Sequence, residues 1–394
     1  MDIKQLQTIL AQGEDSQHQF KRNFTNVDSL AAELVAFANA GGGHLIIGVE
    51  DSGNITGLSR EDIARLNQLL SNASSQHVRP PIHPTTQNMT LEQGMIMVVS
   101  VPEGLNKPYM DNQARIWVKA GADKRHVTAR EEIQRMFQAT GLIYAEETLI
   151  PSTTPQDIQR VRLAEYFENR YQQTLEESGL PIAQIIKSLH IGNGQQLNLA
   201  GLLLFGKNPQ QFRPAFMVKA VYIDGTSIAS QHYRDSEDIE GSLIAQYEKS
   251  LSFITRNLHR LQAGQGVNSL GKLEIPEIAL QEVLVNALIH RDYFISAPIR
   301  ILMFTDRVEI ISPGHLPNHL TIAQIRFGLS NMRNPIIASH ATRQMPYRGL
   351  GSGIPRALES YAFIQFVDDR EGNQFKVIMQ RPAQQGTTNH SVAV

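Results

Sequence analysis

Apolar positions in the first third of the chain alternate between two periods. Ile3, Leu6, Ile9 and Leu10 fall on one face of a short helix, and Leu30, Leu34, Phe37 and Ala38 repeat that spacing over residues 28–40. Residues 19–22 read as a short strand between them. Gly41-Gly42-Gly43 stops the second helix, because glycine takes left-handed backbone angles without a Cβ penalty. The apolar run 44–49 predicts a buried strand, and Asp51-Ser52-Gly53-Asn54 is turn chemistry. Residues 95–101 and 115–119 predict further strands, and 128–137 a closing helix. Residues 146–155 carry Pro151 and Pro155 without periodicity and read as a linker. A second block follows: a helix opened by Thr154-Pro155, strands at 199–205 and 216–223, and a long helix over 238–261. Residues 262–271, with three glycines, form a second seam. Residues 272–382 make a third block, and 384–394 read as a frayed tail.

Segment 277–290 carries the strongest local signal. Pro276 suits a helix start, and the segment is apolar almost all round, so the helix is expected to be buried. Yet Glu282, Asn286 and His290 recur every four residues and stack on one face. A carboxylate and an amide inside a buried helix need partners. A Mg²⁺ ion with nucleotide phosphates is one partner. The structural alternative pairs Glu282 with Arg291 or another base and lets Asn286 cap a neighbouring backbone. Two glycine turns follow in order. Residues 310–317 run from a strand into a sharp turn at Gly314, and Gly349, Gly351 and Gly353 alternate just before a helix expected over 355–361. Backbone free of side chains at a helix start offers N–H groups to phosphate.

Composition narrows the classes. The 394 residues are enough for two or three domains, and 41% hydrophobic with 19% charged residues argue against global disorder. Lys and Arg number 36 against 38 Asp and Glu, so the chain is no uniformly basic sleeve, although a local basic face is compatible with the sum. The lack of cysteine excludes disulfides, thiolate zinc sites, iron–sulfur clusters and a cysteine nucleophile. The N-terminus has no signal core, and no apolar run spans a bilayer, so a cytoplasmic protein without a membrane partner is expected. His18, His77, His83 and His126 lack the spacing of a zinc site.

The third block resembles the GHKL ATPase superfamily of gyrase, heat-shock chaperones, histidine kinases and mismatch-repair ATPases. Glu282-x-x-x-Asn286 is similar to its N box. Ser312-Pro313-Gly314 stands where its adenine-binding Asp-x-Gly belongs, and Gly349-x-Gly351-x-Gly353 is similar to its later glycine box. A divergent bacterial branch is more similar still, through residues 285–293, 308–317, 333–338 and 351–354. The resemblance implies ATP and Mg²⁺ as ligands. Glu282 would be the catalytic base, Asn286 the Mg²⁺ ligand, Gly314 the adenine neighbour, and Gly349, Gly351 and Gly353 the phosphate cradle. His290, Arg291 and Ser312 complete the implied ATP site. Serine at 312 in place of aspartate implies weaker selection for adenine, and turnover would be slow at most.

The first block resembles the Schlafen AlbA-type domain. The resemblance rests on Glu14, on Gln19-Phe20-Lys21, on residues 37–58, on Arg115 to Gly121 and on Ala129 to Glu132. It implies contact with DNA or RNA through Lys21, Arg22, Arg115, Lys119, Lys124 and Arg125, with Trp117 and Tyr109 as stacking candidates. A metal-dependent nuclease gated by ATP is the alternative. Glu14 and Glu50 (or Asp51) would then hold the metal, but Gln19 stands where a second glutamate belongs, and an amide is a weak Mg²⁺ ligand.

The expectation is therefore an α+β multidomain chain. It has a Schlafen AlbA-type domain at 1–140, a mixed connector at 155–262 and a GHKL-like α/β sandwich at 272–382. Such a chain would be a nucleotide-responsive regulator or defence component, with a dimer as the favoured oligomer.

Overall fold

The computed structural model describes residues 1–230, 232–261, 271–317 and 320–382, and divides into two compact units, Met1–Ile143 and Tyr144–Val394. Among the described residues no helix is long and apolar enough to cross a membrane.

The first unit is built on a four-stranded mixed sheet. Strand His18–Lys21 pairs parallel with Gly43–Ile47, which pairs antiparallel with Gly94–Val101, which pairs antiparallel with Thr85–Leu91. Strand residues alternate between faces. Leu45, Ile47, Met97 and Val99 meet Leu30, Leu34 and Phe37 of helix Val27–Asn39 on one face. Ile46, Ile96 and Val98 meet Leu6 of helix Ile3–Gln12 on the other. Both helices start at side-chain caps, Asp2 on the Gln5 N–H and Asn26 on the Asp28 and Ser29 N–H groups. Asn39 closes the longer helix: its buried amide donates to the carbonyls of Tyr109 and Trp117 and accepts the Tyr109 N–H. That bond set anchors the hairpin Trp117–Ala120/Asp123–His126 to the helix end.

The second unit contains a six-stranded mixed sheet. Its order is Tyr233–Ile239, Val218–Ile223, Ile299–Met303, Arg307–Pro313, Gln374–Gln380 and Ile364–Asp369. Val218–Ile223 runs parallel to Ile299–Met303, and every other neighbouring pair is antiparallel. Inward-facing Ala220, Ile301, Met303, Val308, Ile310, Val377 and Met379 share one core with helices Leu243–Asn257 and Glu277–His290. The fold class is thus α+β, as expected, but the connector and the third block share a sheet and a core within one compact unit.

Three expectations need correction. Residues 199–205 are a helix, Leu199–Phe205, capped by the Asn198 side chain on the Gly201 N–H. All seven residues are buried, so no polar face set a period that separates helix from strand. The helix expected over 238–261 is Leu243–Asn257, because Tyr233–Ile239 is taken into the sheet. The seam at 146–155 is no free linker: Glu146, Ile150 and Thr153 are buried. The tail 384–394 and residues 262–270 of the second seam lie outside the described residues.

Glu146 accepts the N–H groups of Ile336 (2.6 Å) and Ile337 (2.7 Å) at the start of helix Pro335–Gln344. Burial pushes its carboxyl up to about 7 from 4.5. His340, on the same helix, lies between Tyr166 OH (2.6 Å) and the Leu189 carbonyl (3.0 Å), and burial pushes it down to about 4 from 6.5. The two act in opposite directions. Between pH 7 and 4.5 the folded chain takes up the Glu146 proton first, so acidification stabilises. Between pH 6.5 and 4 the unfolded chain protonates residue 340 first, so acidification destabilises. Glu146→Gln removes the first effect. Its unfolding midpoint in denaturant is expected to fall more steeply than that of the natural chain between pH 7 and 4.5.

Candidate functional site

Helix Glu277–His290 presents Glu282, Asn286 and His290 to a cleft closed on the other side by the sheet and the glycine turns. Ile310, Phe366, Phe375 and Val377 form its apolar wall. The cleft holds about 1050 Å³, its open mouth included, which matches a small-ligand site.

The helix is held at its end by Asn334, whose amide donates to the carbonyls of Ile289 and Arg291. Asn286 is half-buried and, among the described residues, its side chain has no hydrogen-bond partner. Glu282 is buried and pairs through Oε1 with Arg356 Nη2. Burial pushes its carboxyl up, and Arg356 and Arg348 oppose that. The structural alternative therefore holds for Glu282, with Arg356 rather than Arg291 as the base, while Asn286 caps nothing. His290 Nε2 lies 3.2 Å from Tyr347 OH, and burial pushes its ring down to about 4, so it is neutral near pH 7.

Strand Arg307–Pro313 brings Ser312 to the cleft, where its hydroxyl donates to the Ala287 carbonyl (3.2 Å). Gly314 follows at φ +96°, where a Cβ would stand 2.6 Å from Arg333 Nη1 and from Asp292 Cβ. The second turn carries Gly349 and Gly351 at φ +69° and +72°. Gly353 opens helix Gly353–Ser360, and a Cβ there would lie 2.6 Å from Glu282 Oε2 and 3.2 Å from Asn286 Nδ2. Backbone thus approaches the acid–amide pair as closely as glycine allows. Ser352, at the N-cap, makes no side-chain cap bond, which leaves N–H groups at the helix start available to an anion.

Eight of the nine residues expected at an ATP site line this one cleft: Glu282, Asn286, His290, Ser312, Gly314, Gly349, Gly351 and Gly353. Arg291 does not. Its buried guanidinium donates to the carbonyls of Ile295 and Ala297 and lies against the rings of Phe216 and Tyr293. Sequence reasoning missed Arg348 and Arg356, both in the lining. Their only sequence signal was adjacency to the glycine turn. The donor set fits a nucleotide with Mg²⁺: an unpartnered amide, side-chain-free backbone at a helix start, two guanidinium groups and an apolar wall.

In the first unit, each of the six candidate cations already has a partner. Lys21 lies between Glu14 (3.8 Å) and Asp51 (3.5 Å), and Arg22 meets Glu50 (3.1 Å). Arg115 meets Asp111 (2.8 Å), Lys124 meets Glu33 (2.5 Å), and Arg125 grips Glu132 with both terminal nitrogens. Lys119 donates to the Gln19 side chain (2.6 Å) and to the Ala122 carbonyl. Burial pushes its ammonium down, with Glu33 and Glu14 opposing. Tyr109 is buried, and Trp117 donates to Asp111 while Arg115 and His126 lie against its ring. Of the two candidate metal ligands, Glu14 accepts the Phe20 N–H and Glu50 holds Arg22. Among the described residues no three His, Asp or Glu converge on a possible ion position.

Residues 14–128 match the family described as "Schlafen, AlbA_2", and residues 296–379 match "Putative ATP-dependent DNA helicase recG C-terminal". The second match begins after helix Glu277–His290, so it contains Ser312 and the glycine turns but not Glu282 or Asn286. Among solved structures, the DIP2311 protein from Corynebacterium diphtheriae aligns at 20% identity and TM-score 0.48, over 96% of this chain and 80% of its own. The N-terminal domain of a "Putative ATP-dependent DNA Helicase RecG-related Protein" from Nitrosomonas europaea aligns at 23% identity and TM-score 0.24, over 32% of this chain and 94% of its own. No curated protein matches. The chain carries a Schlafen AlbA_2 domain at residues 14–128 and a RecG-C-terminal, ATPase-type domain at residues 296–379.

Proposed function

We propose that this chain binds ATP with Mg²⁺ in the cleft beside helix Glu277–His290 and contacts DNA or RNA through its N-terminal unit. It would act as a cytoplasmic regulator or defence component in which nucleotide state sets nucleic-acid affinity. One observation carries the nucleotide half: residues from three separate segments, selected for an ATP site by sequence alone, line a single cleft. In this reading Asn286 holds Mg²⁺, and the backbone of Gly349, Gly351 and Gly353 receives the phosphates. Ser312 and Gly314 border the base, and Glu282 orients water in a slow hydrolysis. Bound Mg²⁺ supplies charge neutralisation at the phosphates.

The nucleic-acid half draws support from the Schlafen AlbA_2 match and from the family matched at residues 296–379, whose name speaks of an ATP-dependent DNA helicase. The paired cations weaken a purely electrostatic grip, so a shallow salt dependence is expected. Coupling between two sites is commonly about 5-fold or more in affinity. Fluorescence anisotropy of labelled single- and double-stranded DNA and RNA, with and without ATP and Mg²⁺, is expected to show at least such a change. Nucleic-acid affinity that ATP leaves unaltered contradicts the coupling.

A further inference from the structure

The Glu282–Arg356 pair is incompletely satisfied. Glu282 Oε1 meets Arg356 Nη2, while Oε2 lies 2.6 Å from where a Cβ on Gly353 would stand. Arg356 Nε is buried and has no hydrogen-bond partner among the described residues. A buried guanidinium N–H without an acceptor is costly, and a half-satisfied pair is readily re-partnered by a second anion. Arg356 also lies in the first turn of helix Gly353–Ser360, whose N-cap residue makes no side-chain bond. An anion at that helix start therefore comes within reach of the same guanidinium. Its side chain is 30% exposed, against 8% for Glu282, so the arginine is the partner with room to turn.

We infer that Arg356 is a phosphate-responsive latch on Glu282: without nucleotide it neutralises the carboxylate, and with nucleotide it transfers to a phosphate oxygen and frees the carboxylate. The inference rests on the nucleotide reading above and adds a competition to it. Glu282 and the nucleotide phosphates are alternative acceptors for one guanidinium. Arg348, the other guanidinium in the cleft, contributes long-range charge to Glu282 without a direct bond.

A double-mutant cycle on equilibrium binding tests this on the full chain. Removing the competing carboxylate with Glu282→Gln is expected to tighten ATP and ADP binding about tenfold, with adenosine unchanged. In the Arg356→Gln background the same Glu282→Gln change is expected to have no effect. Wild-type binding that Glu282→Gln leaves unchanged, or a gain that persists without Arg356, overturns the latch alone. Absence of binding by both proteins overturns the nucleotide reading and the latch together. A measurement on the natural chain keeps the test independent of any folding defect. The Arg356 Nε–H resonance, assigned by its loss in Arg356→Lys, is expected to shift with ATP and not with adenosine. A resonance that ATP leaves unmoved overturns the latch.

Discussion

Gly351→Ala is expected to weaken ATP binding by about 100-fold, the scale of a misplacement near 1 Å in a preorganised site. Gly351 stands at φ +72°, a region that costs an L-residue about 1–2 kcal/mol. The larger effect is steric. Its Cβ would stand 1.9 Å from the Gly328 carbonyl oxygen, which is backbone and cannot rotate away. Gly328 is itself at φ +86°, and a Cβ there would meet the Gly351 oxygen at 3.1 Å. The two turns are thus pressed backbone to backbone at the rim of the cleft, and one methyl must drive them apart. Gly349→Ala is the control. It shares the left-handed angle, but its nearest heavy atom is 3.7 Å away, so only the conformational strain applies. Titration with a fluorescent ATP analogue is expected to separate the two variants by more than tenfold. Equal affinities would show that the 351–328 contact does not set the cleft's shape.

Glu274→Ala carries the largest expected cost in stability, about 3–5 kcal/mol. Glu274 Oε1 receives Arg381 Nη2 (2.7 Å) and Nε (3.0 Å) and the His259 N–H (2.8 Å). Arg381 also donates to Tyr222 OH (3.2 Å) and the Phe304 carbonyl (2.7 Å). Both side chains are buried, 1% and 4% exposed. Removal of the acid leaves a buried guanidinium without its counter-charge, which costs far more than the pair itself contributes. The double change Glu274→Met with Arg381→Met is expected to recover most of the loss, because apolar groups of similar volume replace a buried pair at little cost. Chemical denaturation reads both. A single mutant within 1 kcal/mol of the natural chain contradicts the assignment.

The candidate site was more legible in the sequence than the fold around it. Pro276, the every-four stripe of Glu282, Asn286 and His290, and an apolar remainder fixed helix Glu277–His290 to the residue. Local chemistry defined that element. The glycine turns were legible for the same reason, since the left-handed angles at Gly314, Gly349 and Gly351 favour glycine wherever they occur. Leu199–Phe205 was not legible, because seven consecutive buried apolar residues have no period. The sharing of one sheet by the second and third blocks was hidden too, because the pairing of Val218–Ile223 with Ile299–Met303 spans about eighty residues. The partner of Glu282 lies 74 residues away, so the stripe announced a need for a base without naming Arg356. In the first unit the cations were visible as letters. Some of the carboxylates that neutralise them, Glu33 for Lys124 above all, lie far away in the chain, whereas Asp111 and Glu132 stand close to Arg115 and Arg125.

The central claim is that the cleft beside helix Glu277–His290 binds ATP with Mg²⁺. Calorimetric titration of ATP with Mg²⁺ into the natural chain and into Asn286→Ala, with GTP beside it, tests that claim most directly. The Asn286 side chain makes no hydrogen bond among the described residues, so its loss is expected to leave the unfolding transition in place. The account predicts binding by the natural chain and its loss in Asn286→Ala at unchanged stability. No binding by the natural chain at millimolar ATP, or equal binding by the variant, contradicts it.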